Sequence, residues 1–196
     1  MANKENMNVY DFDKTIFRGD STRRFLLFLI RRHPSLLLRV PGFLGNAALF
    51  LTGRREKQDF KQRMFRAFFG GVPNVEDELE LFWDRNWRDT CRWYETTRRP
   101  DDAVISASPE ALVAPCCRRM GISRAMGSPV NLKTGRYEGA NCHGEEKVRR
   151  FREAFPGETV EDFYSDSHSD DPMAAVAKRA FLVRGEQLLL WNSSKI

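Results

Sequence analysis

Asp11-Phe12-Asp13-Lys14-Thr15 sets two carboxylates two residues apart with a hydroxyl close behind. An aspartate can act as a covalent nucleophile toward phosphorus, and a second carboxyl beside it can protonate a leaving oxygen and later activate water. The same spacing also suits an ordinary loop of turn-forming residues. Ser106 directly follows Val104-Ile105, and its hydroxyl could hold a phosphoryl oxygen or simply start a helix. Lys147 could offset the charge of a phosphoryl group in its transition state, or be a surface lysine. Tyr164-Ser165-Asp166-Ser167-His168-Ser169-Asp170-Asp171 could bind a hard divalent cation through oxygen ligands, or form a solvated acidic loop.

These residues need elements to carry them. Residues 7–10 form a short strand-like run that stops at Asp11. Asp20 or Ser21 can cap a helix beginning near Thr22, with Phe25, Leu26, Phe28 and Leu29 inward. The pattern stays helical to about Arg99, with breaks at Pro34, Pro41, Gly53 and Gly70-Gly71-Val72-Pro73, and Leu79, Phe82, Trp83 and Trp87 make a second core stripe. Beyond it, Ala103-Val104-Ile105 reads as a buried strand, and Pro109 falls in the first turn of a helix through Met120. A helix is expected over residues 144–155, with Val148, Phe151 and Phe155 inward. A strand then leads through Phe163-Tyr164 to Asp166, and Ala180-Phe181-Leu182-Val183 is expected as the final core strand. Strands alternating with helices predict an α/β fold with a parallel sheet, and the all-helical stretch of residues 21–98 reads as an insertion. In such sheets ligands bind beyond the carboxyl ends of the strands, where all four polar groups fall.

Composition narrows the classes. The chain has 196 residues, 41% hydrophobic, with a net charge of +5, enough for one domain or a core with a sizeable insertion. Cys91, Cys116, Cys117 and Cys142 contain no C-x-x-C, so neither zinc nor a disulfide framework is expected. With no apolar signal-peptide core near the N-terminus, a cytoplasmic setting is expected. Residues 20–72 hold eleven basic and three acidic side chains, a local +8. That basic, Phe- and Leu-rich segment could rest on an anionic membrane surface, bind an anionic substrate, or be packed helices with solvated arginines. Its uncharged window, residues 40–53, is shorter than the roughly 20 residues of a spanning helix, so no transmembrane helix is expected. A non-enzymatic protein binding nucleic acid through this segment is the competing reading; the segment has no recognition motif and its aromatics follow core spacing, so no nucleic acid partner is expected.

Order and spacing together are more specific than any one group. Asp-x-Asp-x-Thr after the first strand, Ser106 after a later one, Lys147 early in a helix, and Asp166-Ser167-His168-Ser169-Asp170 after a still later strand resemble the haloacid dehalogenase superfamily of phosphohydrolases. The gap from Thr15 to Ser106 is where the helical-cap subclass inserts its cap. Ser106-Ala107-Ser108-Pro109-Glu110 and Gly144-Glu145-Glu146-Lys147-Val148-Arg149 look most like the branch (subfamily IB) that holds phosphoserine phosphatase and a bacterial phosphatidylglycerophosphatase.

The resemblance implies a Rossmann-like core of residues 1–19 and 100–196, with residues 20–99 as the helical cap. It implies Asp11 as a nucleophile that becomes an aspartyl-phosphate and Asp13 as general acid and base. Thr15, Ser106 and Lys147 would hold the phosphoryl oxygens. Mg²⁺ would lie on Asp11, the backbone carbonyl of Asp13 and Asp166, with Asp170 reaching it through water or orienting Lys147. Asp171 is the neighbouring alternative, though the four-residue interval from Asp166 favours Asp170. Asp13-Lys14-Thr15 also resembles the phosphorylation sequence of P-type ATPases, but Ile16-Phe17 stand where those have Gly-Thr, which keeps Asp11 as the expected nucleophile. The expected substrate is a small phosphorylated metabolite or a phospholipid head group, the latter with peripheral membrane contact through the cap.

Overall fold

The computed structural model describes residues 6–192. At its centre is β1 (Asn6–Tyr10), whose Met7 to Tyr10 are all buried because strands flank it on both edges. β2 (Ala103–Pro109) and β6 (Thr159–Ser165) are those neighbours, both parallel to it. β3 (Arg124–Ser128) extends the sheet beyond β2, and β7 (Ala177–Arg184) followed by β8 (Gln187–Leu190) extends it beyond β6. Among the described residues of this six-stranded sheet, only β8 runs antiparallel to its neighbour. The chain winds one way from β1 through β2 to β3, then returns to β6 on β1's other side. The carboxyl ends of β1 and β6 therefore flank the crevice where such sheets take ligands.

Successive strand residues point to opposite faces, and two cores result. Met7, Val9, Ala103, Ile105, Val160 and Phe163 face α7 (Glu145–Ala154) and α8 (Asp171–Val176), which supply Val148, Phe151, Met173 and Ala174. Tyr10, Val104 and Tyr164 face the other way, toward α6 (Glu110–Arg119) and the helices inserted between β1 and β2.

Those helices are α1 (Ser21–Arg32), α2 (Val40–Leu51), α3 (Lys57–Phe68), α4 (Val75–Asn86) and α5 (Arg92–Thr97). Asp20 caps α1 by accepting from the backbone N–H of Arg23 at 2.8 Å. Phe25 and Leu29 are fully buried, with Leu26 and Phe28 half-buried beside them. On α4, Leu79, Phe82 and Trp83 are buried while Trp87 is half-buried, and the Trp83 indole donates to the Leu112 carbonyl on α6 at 2.8 Å. Phe12 and Phe17, from the loop after β1, stack at 5.5 Å, and both meet Trp83 edge-on. The insertion thus shares one apolar core with the sheet.

Several expectations change. Pro41 does not break a helix; it sits in the first turn of α2, where its missing N–H costs nothing. A 3-10 turn over Pro34–Arg39 runs into α2, so the apolar stretch is longer than residues 40–53 suggested. Pro34–Leu51 is 18 residues of mean hydropathy 1.3 with 11% of it buried, long and apolar enough by composition to cross a membrane. Pro109 ends β2, after a register shift between Ile105 and Pro109, and is at the same time the N-cap of α6, one position before the first helical turn. Residues 180–183 lie in β7, which is not final: β8 follows, and Val183 alone of the four is buried. A small hairpin, β4 (Val130–Asn131) with β5 (Arg136–Tyr137), precedes α7. The four cysteines are buried free thiols.

Candidate active site

Asp11 prolongs the sheet by one hydrogen bond, its N–H donating to the Tyr164 carbonyl at 2.8 Å, so its position is set by the β1–β6 ladder. The chain then turns through Lys14, which takes a left-handed φ of 57°. Phe12, Ile16 and Phe17 bury themselves as anchors, and the Phe17 N–H closes the turn on the Phe12 carbonyl at 3.0 Å. Asp13 is held from two sides. The backbone N–H of Ser21, first residue of α1, donates to its Oδ1 at 2.6 Å, and the Ser108 hydroxyl donates to its Oδ2. Helix N-terminal N–H groups lack intrahelical partners, so a carboxylate there satisfies one of them. Burial nevertheless pushes the Asp13 carboxyl up to about 6.

Lys147 lies in the first turn of α7 after Gly144, whose φ of 61° suits glycine. Its ammonium is 1% exposed and donates at 2.7 Å to Asp11 Oδ1 and at 2.7 Å to Asp170 Oδ2. Burial alone would lower its pKa; the two carboxylates reverse this and hold it protonated well above the ordinary range. Burial pushes Asp11 up, against the pull of Lys147. The Ser165 hydroxyl fixes Asp170 with a further bond of 2.8 Å. Asp171 is turned away, accepting from the Trp191 indole at 2.9 Å and lying 3.1 Å from His168 Nδ1. Asp170 is thus the carboxylate of the pair that reaches the crevice.

A cavity of about 240 Å³ opens here, and Asp11, Asp13, Ser106, Lys147, Asp166 and Asp170 all line it. Ser106 Oγ accepts the Ser108 N–H at 3.1 Å, an arrangement that holds the β2 terminus in shape. Thr15 is not among the lining residues. It is fully buried behind the turn, and its Oγ1 has no hydrogen-bond partner.

The facing wall comes from residues that carried no motif. Lys61 on α3 reaches over to donate to the Ala107 carbonyl at 3.1 Å, and burial together with nearby Lys57 lowers its pKa to about 8. Lys57, one helical turn earlier, has its ammonium 3.1 Å from His143 Nε2. Burial and that lysine push the His143 pKa down. Their i, i+4 spacing on one helix face was the available signal, since such residues point the same way. Ser108 and Asp20 complete this side. His168, paired with Asp171, does not line the cavity.

The cation-binding potential follows from the donors. Asp11, Asp13, Asp166 and Asp170 offer only oxygen, which suits a hard divalent ion. Burial pushes Asp11, Asp13 and Asp166 all upward, so the local field favours added positive charge. Among the described residues no three His, Cys, Asp or Glu side chains close into a ready-made cluster. The residues present therefore fit an ion that keeps water or substrate oxygens in its shell, as Mg²⁺ does, and not an all-protein cage.

A sequence profile of the haloacid dehalogenase-like hydrolases matches residues 9–175. Phosphoserine phosphatase SerB1 of Mycobacterium tuberculosis is 30% identical over 203 aligned residues, covering 92% of this chain and 65% of that protein. The chain thus spans just under two thirds of that relative's length. Protein CicA of Caulobacter vibrioides is 28% identical, covering 90% of this chain and 85% of its own. In fold, a protein of unknown function from Bordetella pertussis Tohama I superposes with a TM-score of 0.71 at 21% identity, over 91% of this chain and 89% of that one. A phosphoserine phosphohydrolase-like protein from Francisella tularensis gives a TM-score of 0.57 at 14% identity, over 90% and 86%.

Proposed function

The chain belongs to the haloacid dehalogenase-like hydrolases, and from that premise we propose that it hydrolyses phosphate monoesters through a covalent intermediate on Asp11. The Asp11 carboxylate attacks phosphorus and the ester P–O bond breaks. Asp13 gives its proton to the leaving oxygen; as a base it then takes one from the water that attacks the aspartyl-phosphate, releasing inorganic phosphate and restoring Asp11. Lys147 and Ser106 hold phosphoryl oxygens. Lys147 also keeps Asp11 oriented, since its position is shared with Asp170. Asp11, the Asp13 carbonyl, Asp166 and Asp170 are the proposed holders of Mg²⁺, whose charge when bound offsets the repulsion between phosphate and carboxylates. Residues 20–99 act as the cap that shields the cavity from water and meets the leaving group.

One observation carries this reading: a fully buried lysine bridges the carboxylate at the end of β1 to the one after β6, at the crevice lined by both. The relative named phosphoserine phosphatase supports the reaction class. The test is phosphate release from a generic monoester with Mg²⁺ present. Asp11→Asn should reduce turnover by at least three orders of magnitude while circular dichroism stays native. Undiminished turnover in that variant would remove Asp11 from the chemistry.

A further inference from the structure

A second cavity, of about 540 Å³, begins where the catalytic one ends. The two share Asp20, Lys61 and Ser108 as lining, so they adjoin at these residues. Its position relative to Asp13 is informative. Ser108 Oγ donates to Asp13 and lies 3.3 Å from Thr22 Oγ1, and Thr22 lines the second cavity. The groove therefore starts beside the carboxyl that, on the proposed mechanism, protonates the leaving oxygen. On that mechanism the leaving group departs from the Asp13 side, next to which the groove lies.

The groove is apolar. Its body is formed by Leu26, Ile30, Phe43, Phe60, Met64 and Phe68 from α1, α2 and α3. Charged groups are confined to its ends, with Asp20 and Lys61 at the junction and Arg23 alongside. Asp20 and Lys61 offer a charge pair only at the junction; a polar leaving group that extends into the body meets walls supplying neither an anion nor a cation, and its desolvation there would go uncompensated. Leu27 and Leu44, which line the groove, are 42% and 60% exposed, and Leu38 on the 3-10 turn before α2 and Leu51 at the end of α2 are 84% and 82% exposed. Exposed leucines this concentrated beside a cavity mark a surface that meets apolar matter.

We infer that the α1–α2–α3 groove is a leaving-group subsite for an aliphatic chain, so that the substrate is an amphiphilic phosphate monoester, its head in the aspartate cavity and its tail along Leu26, Phe60 and Met64. This inference rests on the phosphatase reading for the direction of the leaving group, and the experiment separates the two.

Binding of non-hydrolysable n-alkyl phosphonates, from ethyl to decyl, reads the groove with no chemistry involved. Affinity should rise about three- to fourfold per methylene until the groove is filled, and Leu44→Asp, at an exposed position that leaves the fold intact, should flatten the series at its long end. In parallel, turnover of ethyl phosphate with Mg²⁺ reads the phosphatase activity. A chain-length-independent affinity, or an unaltered slope in Leu44→Asp, overturns the groove assignment even if ethyl phosphate is hydrolysed. A steep affinity series without turnover of any alkyl phosphate leaves the groove standing and refutes the phosphatase. Turnover of phosphatidic acid in anionic vesicles at the rate of monomeric decyl phosphate shows that the groove draws its substrate from a bilayer; turnover of the monomer alone shows that it takes a free amphiphile.

Discussion

The crevice has two walls of different construction. On the sheet side, Asp11, Ser106, Asp170 and Lys147 are all at most 8% exposed and hang from strand ends, the 3-10 turn after β6 or the first turn of α7, where backbone hydrogen bonds leave little freedom. On the helical side, Lys57 and Lys61 project from α3 on long flexible stems, and the groove beyond them is bounded by half-buried apolar chains. The first wall is suited to holding reacting atoms in place, which is where oriented groups lower a barrier. The second is suited to telling one leaving group from another. Damage to the sheet wall should cost every substrate alike, and damage to the helical wall should cost them unequally.

The largest effect that sharpens this contrast is Lys147→Met. It leaves Asp11 and Asp170 buried without their cation, and breaking a buried pair from one side costs about 3–5 kcal/mol. Urea unfolding should show that loss, with activity abolished for long- and short-chain esters equally. A stable variant that retained turnover on one ester class would erase the distinction between the walls.

Lys61→Ala should have a smaller, selective effect: KM up about tenfold with kcat little changed, the mark of a lost binding contact. The pH profile gives it a signature. Because burial and Lys57 hold Lys61 down at about 8, its charge is present below that pH and lost above it. kcat/KM should therefore fall as pH rises through about 8, and Lys61→Arg should remove that limb. A limb that persists in Lys61→Arg assigns it to another group.

Smallest is Thr15→Val. Replacing a buried hydroxyl that has no partner by an isosteric methyl should be neutral or stabilising by up to about 1 kcal/mol, with turnover within about twofold. A tenfold loss of turnover would instead put the Thr15 hydroxyl on the phosphoryl group, as the motif alone implied.

The motif residues that were legible in the sequence share a cause. Asp11 and Ser106 directly follow apolar runs and Asp166 follows Phe163-Tyr164 by one residue, and a strand end places its next polar residues at the crevice with little help from the rest of the chain. Lys57 and Lys61 share one face of α3 by their i, i+4 spacing, but only the packing of α3 over the sheet brings that face to the cavity, and His143 arrives from the loop before α7. β3 was hidden for a related reason. Arg124-Ala125-Met126-Gly127-Ser128 has no clean alternation, and Gly127 is there for contact: a Cβ would sit 2.6 Å from the Glu110 Cα, while the Gly127 N–H donates to the Glu110 carboxylate at 3.0 Å. β8 escaped notice because an edge strand with Leu189 and Leu190 exposed lacks the burial pattern of a core strand. The apolar span after Pro34 is longer than its sequence suggests because Pro34 and Pro41 look like breaks, whereas each occupies a first helical turn.

The central claim is that Asp11 carries the phosphoryl group, and one measurement addresses it most directly. The protein is mixed with a radiolabelled phosphate monoester and Mg²⁺, quenched in acid within the first turnover, digested and mapped. The account predicts an acid-stable, hydroxylamine-labile label on the peptide containing Asp11, absent in Asp11→Asn. Phosphate release with no label on the protein, or label on Ser106, would contradict it.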